Sequence, residues 1–416
     1  MLPSRPFLLA GAMLVSGILL GGAAFPAAVE AVDRESIVSL TPEEAATLAA
    51  EGDQRDVPLV LPKLAAIDAD TAAALAKFKG QGLMLDGLTA LDAPTATALA
   101  AFKGAGLTLN GVAGLDAAAA KALAATSRQW LSLNGLEKLD ADAAGALAGF
   151  KGHMLGLDGL TTVDAAAAAA LAGTKVTILT LSGVTRLDAE AARALAGSKS
   201  FVHLGGLTTI DEETARALAQ FKGPGHLFLY GLTALDAGTA RTLAEFQGTA
   251  LHLDGLTTLD AATAEALASF PGGMLSLGGL TGLDADAARA LAGCRCKEVA
   301  IAGLLAKVGD TVPLTPDLAR LVCTAAGDGA LPGVTAFDAP DSVTVATTLA
   351  GRKGPLALPN LHKISPKTLT ALIEKRDVEI PLVETLELIQ EPDGSVTEDF
   401  VIPDWLEDRQ SLERDR

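Results

Sequence analysis

The residue types able to bind or catalyse are scarce in this chain, and they fall in register. Between residues 83 and 303 a glycine recurs after a short Leu-x-Leu run, and the side chains around it form columns. Three positions before the glycine stand Met84, Thr108, Ser132, Gly156, Thr180, His203, Phe228, His252 and Ser276. One position before it stand Asp86, Asn110, Asn134, Asp158, Ser182, Gly205, Tyr230 and Asp254. Five before it come Trp130, Met154, Ile178, Phe201 and His226. The single tyrosine, three of the 5 histidines and one of the 2 tryptophans therefore share one strip. In a chain only 4% aromatic, that strip suits contact with a sugar, a peptide or a protein surface. The binding set expected from it is Trp130, Phe201, His203, Phe228, Tyr230, His252 and Asp254. The competing reading places the five-before column in a turn, where its side chains would be packed and inert.

Other chemistry is thinly supported. His203, His252 and Asp254 invite a metal, but two strands separate the histidines by roughly 9–10 Å and Phe228 stands between them. No metal or cofactor is expected. The pairs Asp68/Asp70, Asp140/Asp142 and Asp284/Asp286 stand where helices should begin, and one such aspartate occurs in nearly every unit. That frequency fits helix capping rather than catalysis. Cys294, Cys296 and Cys323 are odd in number, which leaves room in an oxidising compartment for one disulfide between Cys323 and either Cys294 or Cys296, with Cys296–Cys323 the pair singled out. No nucleophile elbow, H-E-x-x-H helix, P-loop or dinucleotide fingerprint occurs, so no catalytic residue is assigned.

The elements that position these columns repeat. The glycines Gly87, Gly111, Gly135, Gly159, Gly183, Gly206, Gly231, Gly255, Gly279 and Gly303 are spaced 24 residues apart, with one spacing of 23 and one of 25. Alternating Leu83-x-Leu85 reads as a strand, and Asp92 as a helix N-cap. Ala96, Leu99 and Phe102 form the inward stripe of an alanine-rich helix, and Lys103-Gly104 closes it with a cation and a glycine suited to a left-handed cap. Asp338 occupies the Asp92 position in a later unit. A unit of this length cannot bury its apolar side alone, so stacking is required. The fold class is α/β, a parallel-strand solenoid of about fourteen repeats over 57–388. Thr41-Pro42-Glu43-Glu44 opens a capping helix within 32–56. Residues 389–416 read as a β-hairpin followed by a loose acidic tail, and spacings of 30 and 27 predict an irregularity over 303–360.

The pattern L-x-L-x-G-L-x-x-L-D-x-x-x-A-x-A-L-A-x-F-K-G resembles leucine-rich repeats, particularly the divergent ones of bacterial envelope proteins. The resemblance implies a non-catalytic module binding a protein or a glycan. It departs from that family at Leu88, Val112, Leu136 and Leu160, where the family places Asn or Cys, so its polar ladder is missing from those positions.

Composition narrows the class further. With 32 basic and 50 acidic residues the formal charge is −18, which argues against nucleic acid and anionic lipid as partners. A mean hydropathy of +0.37 comes from dispersed Ala and Leu. Past residue 31 no apolar run approaches the ~20 residues of a bilayer span. Arg5 followed by the uncharged stretch from Phe7 to Phe25 reads as an export signal over 1–31, cleaved after Val29-Glu30-Ala31 or earlier at Gly22-Ala23-Ala24, or as an uncleaved anchor. Either way the body is expected outside the cytoplasm, in the periplasm, at the cell surface or secreted. A self-associating envelope component is the alternative function, and an enzyme with a site in 303–360 the third.

Overall fold

The structure, a computed structural model, describes residues 34–50, 57–126, 128–396 and 400–414. The expected export signal lies outside them. Among the described residues no helix is long and apolar enough to cross a membrane.

Each coil is a strand, a turn, a helix and a return loop. The strands β1 (Leu59–Val60), β2 (Gly82–Met84), β3 (Gly106–Thr108), β4 (Trp130–Ser132), β5 (Met154–Gly156) and β6 (Ile178–Thr180) stack in chain order. They continue through β7 (Phe201–His203), β8 (His226–Phe228), β9 (Ala250–His252), β10 (Met274–Ser276) and β11 (Glu298–Ala300) as one eleven-stranded sheet. All pairings are parallel and shift by one repeat, so Leu83 meets Leu59 and Leu107. This central column points inward and is fully buried at Leu83, Leu107, Leu131 and Leu155. Each such leucine contributes roughly 1.5–3 kcal/mol of burial, available only when the next coil covers it.

The N-caps follow the sequence reading. The Oδ1 of Asp92 accepts the Thr95 amide at 2.8 Å, and Asp68, Asp116, Asp140, Asp164 and Asp188 do the same in their coils. Asp338 does not: its helix, Ser342–Ala350, begins after Asp341 and has no side-chain cap bond. Gly104 is also corrected. Its φ is not positive, and a side chain there would collide with the Phe102 ring and the Gly80 carbonyl. The F-K-G glycine leaves room for the phenylalanine ring, and rings such as Phe246 and Phe270 then stack from coil to coil at 6.2 Å.

At the N-terminal end the helix Pro42–Ala50 carries a reciprocal capping box, with Glu44 Oε2 accepting the Thr41 amide and Thr41 Oγ1 accepting the Glu44 amide. The long sheet ends at β11, where the helix Ala302–Leu305 and a longer connection displace the next strand. Beyond it two small parallel sheets form, one from β12 (Ala336–Phe337), β14 (Lys363–Ile364) and β16 (Glu387–Leu388), the other from β13 (Leu356–Ala357) and β15 (Val378–Glu379). The core nevertheless runs unbroken from Ala45 to Leu406.

Two C-terminal expectations fail. Among the described residues the predicted hairpin does not form: β16 pairs in parallel with β14 and no strand follows it, and residues 397–399 of the expected second arm lie outside the described residues. Joining the stacked sheet satisfies the β16 backbone as well as a local partner would. The tail is helical over Asp404–Arg414, because Leu406 can insert, fully buried, into the last coil. The cysteines pair otherwise as well. Cys294 and Cys296 form the disulfide, with Cα atoms 5.3 Å apart across a tight turn. Cys323 is a free thiol whose Sγ donates to the Thr348 carbonyl at 3.1 Å, because its helix directs it toward the following helix.

Candidate functional site on the strand face

The residues flanking the inward leucine point out of the sheet on its open face, since side chains alternate along a strand. Trp130, Met154, Ile178 and Phe201 are therefore first residues of adjacent strands, in register, and not turn residues. All four are half-buried. The three-before column runs beside them, with Ser132, Gly156, Thr180 and His203 in register.

Over three coils these columns merge into one ring cluster centred on Phe228. Its ring stacks between the imidazoles of His203 and His252, with centroids at 4.3 and 4.6 Å. Phe201, His226 and Tyr230 surround it at 6.3, 5.7 and 5.6 Å. Phe228 is only 4% exposed and His252 8%, whereas Phe201, His203, His226 and Tyr230 are half-buried. The accessible rings thus sit on a buried aromatic support. Phe228, expected among the contact residues, belongs to that support rather than to the accessible surface.

The cluster is electrically neutral near pH 7. Burial drives the His252 imidazole down to about 4, against the attraction of Asp254 and helped by His226 and His203. Burial also lowers His203, opposed by Asp158, and His226. Burial and the Asp254 carboxylate push the Tyr230 phenol up to about 12. His226 Nδ1 and His252 Nε2 are 3.2 Å apart, so one neutral ring donates to the other. Asp254 Oδ2 lies 4.0 Å from His252 Nδ1 while its Oδ1 accepts from Ser276 Oγ and the Gly278 amide. Asp254 is thus tied to the scaffold. His203 and His252 face opposite sides of the Phe228 ring and share no common point for an ion.

A polar ladder runs along this face, two positions before Leu88, Val112, Leu136 and Leu160, where leucine-rich repeats place theirs. Asp86 Oδ1 accepts the Asn110 amide, Asn110 Oδ1 the Asn134 amide, Asn134 Oδ1 the Asp158 amide and Asp158 Oδ1 the Ser182 amide. Every bond spans 24 residues, one coil to the next. In the ladder column Ser182, Gly205 and Tyr230 then replace the carboxylates and amides, until Asp254 resumes the pattern. The interruption coincides with the ring cluster. At Gly205 the nearest atoms to an added methyl would be Tyr230 Cδ2 and Ser182, at 3.6 and 3.8 Å, so the column opens into a shallow notch beside the Tyr230 ring.

Of the expected binding set, Phe201, His203, Phe228, Tyr230, His252 and Asp254 come together. Trp130 does not: three strands, roughly 14 Å, separate it from Phe201, and its indole lies across Gly106, where a methyl group would collide with it. His226, present in the columns but left out of the expected set, belongs at the centre. Its five-before position gave the signal.

The chain matches no known protein-family model and no curated protein. Similar solved structures include a chain of the crystal structure of the TLR13–ssRNA13 complex, 16% identical with a TM-score of 0.47, matching 76% of this chain and 44% of that one. A chain of the Drosophila Toll–Spatzle complex is 14% identical with a TM-score of 0.46, over 82% and 41%. Its glycosylated form gives 13% and 0.47, over 78% and 47%. This chain spans less than half the length of each, and its solenoid architecture stands on its own repeating strand–helix geometry.

Proposed function

We propose that this protein is a non-catalytic recognition module, acting outside the cytoplasm, that receives a protein or glycan partner on the aromatic stretch of its open strand face. The observation that carries the reading is the coincidence of two departures from the repeat. The polar ladder stops, and the half-buried rings of Phe201, His203, His226 and Tyr230 gather on a buried support. A repeat selected for stacking alone has no reason to change both columns in the same coils. A neutral aromatic surface edged by the Asp158 and Asp254 carboxylates favours apolar faces that carry hydrogen-bond donors. The columns offer no arranged nucleophile and base, and the activity we infer is binding. Site-specific photo-crosslinking tests this. A Tyr230→benzoylphenylalanine chain should label a partner that Thr97→benzoylphenylalanine, on the exposed helix side, does not. Equal labelling from both positions, or only chain-to-chain labelling, contradicts it.

A further inference from the structure

The return loops carry a second surface, independent of the strand face. Lys79, Lys103, Lys151, Lys175, Lys199 and Lys222 each follow the last inward leucine of their helix by four residues, and all six are exposed. Sequence distance scatters them, but stacking gathers them into one line along the edge of the solenoid where the helices end. Neighbouring coils lie between the strand spacing of ~4.8 Å and a helix spacing of ~8–10 Å, so the line presents a cation roughly every 5–10 Å, with the coil of Arg128 skipped.

Compensation of helix ends does not account for this row. The helix Ala93–Ala100 ends three residues before Lys103, and dipole effects fade within the last turn. The cations that do serve helix ends in this protein look different. Arg128 donates to the Leu99 carbonyl, Arg352 to those of Val322 and Ala325, and Lys375 to that of Arg352, and all three are buried. Among the described residues the six lysines make no such bond, and no carboxylate pairs with any of them. The acidic N-caps occupy the opposite edge, beyond helices about 12 Å long, which exceeds the Debye length of ~8 Å at physiological ionic strength. The edge is therefore locally basic although the chain carries −18 overall.

We propose that this lysine edge binds a linear acidic polysaccharide, its carboxylates paired with successive ammonium groups. The line is one-dimensional, which suits a chain rather than a membrane plane. The row itself is built of lysine point charges; the exposed Arg193 and Arg216 stand in the preceding helix turns, where Arg216 is paired with Glu212, and the row's phenylalanines, such as Phe78 and Phe102, are buried and cannot stack bases.

The test titrates the full chain with polygalacturonate at about 50 to 200 mM NaCl, beside a K103Q/K151Q/K175Q/K199Q variant. These exposed exchanges leave the core intact, and an unchanged thermal melt verifies it. Wild type should bind with a steep salt dependence. The variant should bind at least tenfold more weakly, its log–log salt slope smaller by roughly 0.7 per lysine lost. Tyr230→Ala should leave this binding unchanged, which separates it from the strand-face site. Equal affinity of variant and wild type, no binding at low salt, or tighter binding to oligothymidylate or to phosphatidylglycerol vesicles overturns the proposal.

Discussion

Phe228 and Tyr230 are adjacent in the ring cluster, yet the structure assigns them opposite costs. Phe228 is 4% exposed and closed in by five rings, with His203 and His252 on its two faces. Phe228→Ala removes the ring from an enclosed site, and such truncations cost about 3–5 kcal/mol because the cavity collapses only partly. Tyr230 is half-buried at the rim, so Tyr230→Ala opens onto solvent and should cost about 1 kcal/mol. The gap is thus about 2–4 kcal/mol. In a solenoid each coil leans only on its neighbours, so the loss should be local. Hydrogen exchange at the amides of Leu204 and Leu229, which donate to the Phe228 and His252 carbonyls at 3.1 and 3.0 Å, reads it directly. At 1.4 kcal/mol per tenfold, Phe228→Ala should speed their exchange about a hundredfold or more, and Tyr230→Ala about fivefold. Exchange rates within twofold of each other in the two variants would refute the picture of a buried support beneath accessible rings.

Further consequences follow from the same geometry. The three clustered histidines bind protons less readily folded than unfolded, so the stability they contribute is full above the ordinary imidazole value of about 6.5 and declines as pH falls toward about 4, the value for His252. The urea midpoint should therefore drop between pH 7.5 and 4.5, and less steeply in His226→Gln/His252→Gln; an equal drop in both would rule out the cluster as its source. Asn134→Ala removes the acceptor of the Asp158 amide and should cost about 1–3 kcal/mol, with faster exchange in the coils of β4 and β5; unaltered exchange there would mean the ladder is ornamental. Alkylation without reductant should add one label, at Cys323, and mass mapping that instead finds Cys294 or Cys296 labelled would contradict the disulfide.

Much of the fold was legible because the repeat states the same physics many times over. Leucines such as Leu83 and Leu107 are inward wherever they recur, and Asp92 caps a helix wherever it precedes alanines. Where the repetition lapses, so did the reading. Asp338 retains the motif residue without the helix start, and the C-terminal segments found partners in the stack rather than in each other. The site was half legible. The columns identified the rings, but burial could not be read from spacing, so Phe228 passed for a contact residue and Trp130 for a neighbour. The ladder escaped because it sits two residues from the family's position, although Asn110 and Asn134 were in plain view on the strip. The lysine line needed the stack itself, since single lysines in separate loops carry no visible relation.

The central claim is that recognition resides in the rings above Phe228. Its most direct test is the affinity for the photo-labelled partner of wild type beside a Phe201→Ala/Tyr230→Ala variant that keeps Phe228 and hence the support. Loss of tenfold or more in affinity, with unchanged exchange at Leu204 and Leu229, is the predicted result. Unchanged affinity in that folded variant would place recognition elsewhere on the solenoid.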